Sequence, residues 1–370
     1  MPGYGERHCL ERNDAWQQKR LAILRRLMDV DIVIIGAGPA GCAAAIVAVQ
    51  SGLSALIIAG KNTRHDSANL TIQPSESIHP GVLSLLELLQ AGPAIAAASV
   101  GVYEGVQTGE TLAPLGSSAD GDPWLGNHIH RHRFDKALLD AALLQGAGIL
   151  QPEMVSDLLL QDDCVVGIKT MSGNQITCKY VIDASGYMRF GGKKLQFEEA
   201  FDSLPLTAWT GVTENIPPDH FLYSNRFTRF IPNPGGWTWL APESGGRCTW
   251  TMLSAKGKQS VEPPGELTAF TNQGKIKAAN CRWRIFRPVC KEGIILCGDA
   301  AAIVDPAAGQ GILNALLSGM TASKTVVSCI SDPDQEPIYL AEYDNWFFQY
   351  YQDRVQKLKT HYADLGIAVF

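Results

Sequence analysis

The chain has 370 residues, 46% of them hydrophobic and 18% charged, with a formal net charge of −6. That is the balance of a folded globular protein with material for about two domains. It lacks the basic footprint of a nucleic-acid binder, and no run approaches about 18 uninterrupted apolar residues, so neither nucleic acid nor a membrane span is expected.

The first residues have no apolar secretory core. Residues 14–28 carry Lys19, Arg20, Arg25 and Arg26 beside Leu21, Ile23, Leu24 and Leu27. They read either as a basic amphipathic helix for a membrane surface or as a plain extension, 1–27, before a start at Met28. Nine cysteines are scattered with no CxxC pair, which points to reduced thiols and a cytoplasmic setting.

Asp31–Ile35 is a short β-branched run that predicts a buried parallel strand. Gly36-Ala-Gly38-Pro39-Ala40-Gly41 follows, then an Ala/Val-rich helix over 41–51 and a second apolar strand over 53–59. Together they make one βαβ unit. Pro80–Gln90 predicts a helix, Gly109–Gly126 a loop, and Arg133–Gln145 a helix with Phe134 and Leu138 inward. Three strands are expected at 155–160, 164–170 and 175–182. Between 187 and 292 aromatic-rich strands alternate with Gly/Pro turns, at 206–213, 226–231, 236–241 and 246–254. A buried strand returns at 293–299, followed by helices at 311–328 and 339–365. The fold expected is α/β: a Rossmann-like nucleotide domain (28–186 and 293–330), an inserted, mainly antiparallel sheet domain (187–292) for substrate, and a C-terminal helical segment (331–370).

A strand that ends at a helix N-terminus presents free N–H groups and a positive dipole end to pyrophosphate. Gly36 allows the tight turn, Gly38 lets phosphate approach, and Gly41 lets the helix pack on the strand, with Pro39 and Ala40 between them. The acidic residue that normally grips the adenosine ribose is missing: Ala59 stands there.

Four segments resemble the flavoprotein superfamily of single-component aromatic monooxygenases and flavin-dependent halogenases. They are Gly36–Gly41, Arg131 to Leu139 ("R..FD..L"), Asp183-Ala-Ser-Gly186, and Gly298-Asp299 with Asp305-Pro306-Ala-Ala-Gly309-Gln310-Gly311. The resemblance implies FAD as cofactor, with NADH or NADPH as a transient reductant. It places Arg131 (Arg133 as runner-up), Asp183, Gly186, Asp299 and Pro306 around the flavin nucleotide. Gly309, Gln310 and Gly311 would open a helix toward the flavin ring.

A narrower resemblance is to the halogenase-like branch, through Ser75-Glu76-Ser77-Ile78-His79-Pro80 and Trp237-Thr238-Trp239. It implies catalytic roles for Glu76 and His79 in proton relay, against a helix-capping role for Ser77 or Glu76, and for Trp237 and Trp239 as cavity walls, against core packing. Glu104 stands where halogenases place lysine, and Ala307, Ala308, Gly309 and Gln310 replace the Ser/Thr of their halide pocket, which argues against halogenation. Flavoproteins that mature tryptophylquinone cofactors share the same motifs. On that resemblance the chain hydroxylates an indole, a tryptophan of a quinoprotein oxidase or dehydrogenase precursor. A small aromatic substrate, halogenation and a non-catalytic FAD-binding chaperone are the alternatives. His128, His130 and His132 alternate, yet no Cys or carboxylate completes a set, so no metal is expected. Trp346 to Tyr351 reads as helix core or as a partner contact.

Overall fold

The computed structural model describes residues 29–60, 73–118, 120–255 and 262–370. The readings made for residues 1–28 lie outside them.

The nucleotide half is built on an eight-stranded sheet. Asp29–Ile35 lies at its centre, parallel to Gln175–Asp183 on one side and to Ala55–Ile58 on the other. Ile294–Leu296 extends the first side and Gly148–Leu150 the second, both in parallel register. Ile32, Val33 and Ile34 are wholly buried, as a strand covered on both faces must be. Val155–Gln161 and Cys164–Thr170 continue the sheet in antiparallel fashion from Gln175–Asp183.

Helix Pro39–Gln50 is buried from Pro39 to Ala48, between this sheet and helix Gly311–Ser331. That position explains its run of small residues. A Cβ on Gly319 would lie 2.2 Å from the Ala40 carbonyl oxygen, so the two helices touch backbone to backbone.

The second sheet has seven strands in the order Thr271–Asn280, Thr207–Glu214, Arg247–Ser254, Gly236–Glu243, Phe227–Asn233, Gly105–Thr108, Thr111–Pro114. Its pairs are antiparallel except Phe227–Asn233 with Gly105–Thr108. Period-two alternation gives it two buried faces. Phe230, Trp237 and Leu253 join the main core, while Leu240, Cys248 and Trp250 form a smaller core with Leu222 and Leu267.

Two expectations change. Thr111–Pro114, read as loop, is a strand, and with Gly105–Thr108 it adds chain from before residue 187 to the second sheet. Thr271–Asn280 was not anticipated, because a mostly exposed edge strand carries no hydrophobic alternation. Helix Glu336–Asp364 buries Leu340, Tyr343, Phe347, Tyr351, Val355, Leu358 and Tyr362 at three- and four-residue spacing, so the aromatic run is largely core. Among the described residues no helix is long and apolar enough to cross a membrane, and the cysteines are free thiols.

Candidate functional site

The Gly36–Gly41 turn sits where the central strand enters its helix. Gly36 has φ +108°, and a Cβ there would lie 2.4 Å from the Ala184 carbonyl oxygen, so the turn rests against the Asp183–Gly186 segment. A Cβ on Gly41 would come within 2.0 Å of the Gly36 carbonyl oxygen. A Cβ on Gly38 would meet nothing within 4 Å. The turn is therefore packed on its inner side and open on the side a pyrophosphate would approach. No side chain caps helix Pro39–Gln50 or helix Gly311–Ser331, and neither has an acid in its first turn. Both keep free N–H groups and positive dipole ends. These features fit a dinucleotide with negative charge at two points.

Asp299 follows Gly298, whose N–H is held by Ser318 Oγ at 2.9 Å. Asp299 is exposed at its surface although protein crowds it, which fits a concave site. Burial pushes its carboxyl up and Arg131 pulls it back. Arg131 is clamped twice: Nη1 donates to both Glu76 oxygens at 3.0 Å, and Nε and Nη2 donate to Asp135 at 3.1 Å. Arg133 is exposed, so Arg131 is the arginine the fold holds in place.

Four expectations need correction. Glu76 is an ion-paired carboxylate with both oxygens held by Arg131, not a free proton relay. It lies in strand Glu76–Ile78, so neither it nor Ser77 caps a helix. Asp183 is fully buried and accepts Ser185 N–H (2.9 Å) and Gly191 N–H (2.6 Å). It therefore shapes the turn beside Gly36 rather than meeting a ligand, while Gly186 is half-exposed at φ +61°. Trp237 is 1% exposed, with its Nε1 donating to Tyr362 Oη at 2.6 Å. It is core and cannot line a substrate cavity.

Trp239 shares that sheet face but stays half-exposed, edge-on to Phe230. Its Nε1 donates to Ser77 Oγ (3.1 Å), and Ser77 Oγ lies 3.0 Å from His128 Nδ1. With the serine accepting from the indole, its own proton points to His128, whose ring proton is then on Nε2. His128 is buried and stacked on Tyr103 at 4.9 Å. Burial pushes its pKa down to about 4. The Ser77 carbonyl oxygen would lie 3.3 Å from a Cβ on Gly309, so this serine adjoins the turn that opens helix Gly311–Ser331. His79 is half-buried; its Nδ1 accepts Gly81 N–H at 3.0 Å, and burial lowers its pKa. His128 lies in a strand, His130 precedes helix Arg131–Leu144 and His132 lies within it, and no metal-binding group occurs among the described residues.

Sequence reasoning assigned no role to two anchors. Glu243, 3% exposed, accepts from Ser75 Oγ (2.8 Å) and Thr249 Oγ1 (2.6 Å), pinning the Ser-Glu-Ser segment to the second sheet. Asp305, 2% exposed, accepts Trp283 Nε1–H (3.1 Å), Tyr362 O–H (2.6 Å) and Ala307 N–H (2.9 Å). It fixes Pro306 and the start of the Gly309–Gly311 turn to the C-terminal helix. Tyr350 and Arg354 of that helix reach the same region: Tyr350 Oη donates to Asn314 Oδ1, and the Arg354 charge acts on Asp299 and Asp305.

The His128 burial has a consequence for stability. The unfolded histidine titrates near about 6.5, so on acidification the unfolded chain takes the proton first. The contribution is complete above about pH 6.5 and is lost as pH falls toward about 4, roughly 3 kcal/mol in all. Urea unfolding should show wild type losing about 2 kcal/mol more than His128→Gln between about pH 7.5 and 5. Equal losses in the two proteins would place the charge elsewhere.

A glycine turn, an exposed aspartate and two uncapped helix starts are features that fit a bound dinucleotide. Residues 29–323 match the family model described as an FAD binding domain, and the chain belongs to that family of FAD-dependent oxidoreductases. It is 26% identical over 343 residues to digeranylgeranylglycerophospholipid reductase 2 of Methanococcoides burtonii, covering 85% of this chain and 79% of that protein. In fold it is similar to the myxobacterial chondrochloren halogenase CndH (TM-score 0.77, 20% identity, 90% of this chain and 82% of that one). It is also similar to the peptidyl tryptophan dihydroxylase QhpG (TM-score 0.65, 20% identity, 91% and 74%).

The missing ribose acid carries its own prediction. Ala59 is buried and offers no charge-assisted hydrogen bond, a loss of about 1.5–3 kcal/mol. Extensive dialysis should deplete the flavin. Near-stoichiometric flavin after dialysis would contradict the reading.

Proposed function

We propose that this FAD-dependent oxidoreductase is a monooxygenase that hydroxylates an electron-rich aromatic ring, with NADH or NADPH as reductant and the indole of a partner protein's tryptophan as substrate. The observation that carries the proposal is Trp239: a half-exposed indole, fixed in plane by Ser77 beside the Gly309 turn, is a platform on which an aromatic ring can stack. Bound FAD supplies the electron transfer and the oxygen chemistry. The chain's own residues bind and orient. The free N–H groups at Gly311 would favour negative charge on a flavin bound beside them. Ser77 can pass a proton to neutral His128 Nδ1. Glu104, paired with Arg226 at 3.4 Å, supports hydroxylation over halogenation, because it leaves an acid where halogenases use lysine.

A second reading, hydride-driven reduction of an isoprenoid double bond, rests on the name of the Methanococcoides burtonii relative. Turnover under ¹⁸O₂ with free indole and with a tryptophan peptide separates the two. The proposal expects NADH or NADPH consumption and one labelled oxygen in the aromatic product. Oxygen-independent addition of two hydrogens to a prenyl substrate, with no label in any aromatic, would replace it with the reductase reading.

A further inference from the structure

On the outer face of the second sheet lies a cavity of about 340 Å³ with a buried arginine in its wall. Arg229 is 7% exposed. It pairs across the sheet with Leu240, while its neighbour Phe230 pairs with Trp239. Alternation therefore turns Arg229 and Leu240 away from the face that carries Trp239. No carboxylate of the described residues pairs with Arg229. Its guanidinium donates to the Phe221 carbonyl (3.0 Å) and, at the long distances of 3.4 and 3.5 Å, to Asn225 Oδ1 and Ser224 Oγ. Burial is what displaces its pKa, downward.

A guanidinium taken out of water without a counter-ion is costly, and a bidentate carboxylate is the partner whose geometry suits it. The rest of the wall mixes amide and hydroxyl groups (Gln107, Ser224, Asn225) with apolar surface (Phe221, Leu240). We infer that this cavity is a binding site, separate from the flavin cleft, for a small organic carboxylate with an apolar body. The carboxylate pairs with Arg229, and the body lies on Phe221 and Leu240.

Benzoate is the probe, titrated calorimetrically into the FAD-loaded protein, with benzyl alcohol as its uncharged counterpart. The expected result is one saturable benzoate site, with Arg229→Met and Asn225→Asp each weakening it by about tenfold or more. Benzyl alcohol should bind at least about tenfold more weakly than benzoate. The flavin absorbance should not change on binding. Asn225→Asp decides the matter if Arg229→Met fails to fold. It keeps the oxygen that accepts Phe227 N–H at 3.0 Å, and it sets an internal carboxylate beside Arg229 in competition with the ligand. Absence of saturable binding to wild type, equal affinity in a folded Asn225→Asp protein, or a shift of the flavin spectrum on binding would each overturn the assignment.

Discussion

Gly41→Ala should cost the protein both its FAD and a large part of its stability, whereas Gly38→Ala should cost it the FAD alone. The two glycines stand three residues apart in one turn and face opposite ways. A Cβ on Gly41 would sit 2.0 Å from the Gly36 carbonyl oxygen and 3.3 Å from Ile34 Cγ2. The first of these is backbone in the central strand's own turn, so the helix must lift away. Overpacking costs about 1–3 kcal/mol, and an approach to backbone this close belongs at the upper end. Gly38 has φ −78°, which alanine adopts freely, and a Cβ there meets no protein atom within 4 Å. Its methyl group would occupy only the space left for the pyrophosphate. Urea unfolding of the flavin-free proteins should place Gly38→Ala within about 0.5 kcal/mol of wild type and Gly41→Ala well below it. Flavin titration should show both binding at least about a hundredfold more weakly, equivalent to about 2.7 kcal/mol. A Gly38→Ala protein that binds FAD as well as wild type would mean that the ligand does not approach this turn.

The second large effect belongs to Asp305. Its carboxylate holds three donors from three parts of the chain: Ala307 N–H, Trp283 Nε1–H and Tyr362 O–H. Tyr362 in turn accepts Trp237 Nε1–H. Asp305→Ala leaves these donors buried without an acceptor, and the expected loss is on the order of 3–5 kcal/mol. Asp305→Asn retains one acceptor oxygen but turns an N–H₂ toward existing donors, so a loss of about 2 kcal/mol is expected. Tyr362→Phe should lose about 1–2 kcal/mol, since it removes one donor to Asp305 and the acceptor of Trp237. The order Ala, Asn, Phe, by urea unfolding, is the test. A neutral Asp305→Ala protein would show that the network carries no stability. FAD affinity should fall with Asp305→Ala as well, because Asp305 anchors the turn that presents the Gly311 helix start.

What was legible in the sequence was what local chemistry dictates. The strand, the Gly36–Gly41 turn and the helix that follows are set by residues within a few positions of one another, and the structure forms them as expected. The long apolar helix from Gly311 and the aromatic C-terminal helix were legible from their spacing. The partner sets were not legible, because they join distant segments. Ser77 meets His128 across 51 residues and Trp239 across 162, and Ser75 meets Glu243 across 168. Trp237 and Trp239 are indistinguishable in sequence, as two tryptophans on one strand face. The C-terminal helix decides between them, by supplying Tyr362 to the first. Asp183 ends its strand and Asp299 follows one by three residues, both in apolar company. Two backbone N–H groups claim the first, and the second stays exposed. Arg229 gave no signal at all, since nothing in sequence shows that a charged residue on a strand will be buried without an acid beside it.

The central claim is that this cleft holds FAD at the Gly36–Gly41 turn and beside Asp299. Its most direct measurement is a fluorescence titration of FAD into the flavin-free protein, wild type beside Gly38→Ala and Asp299→Ala. The account predicts saturation at one FAD per chain in wild type, about tenfold to a hundredfold weaker binding in Asp299→Ala, and the largest loss in Gly38→Ala. Saturation by all three proteins at the same concentration would contradict it.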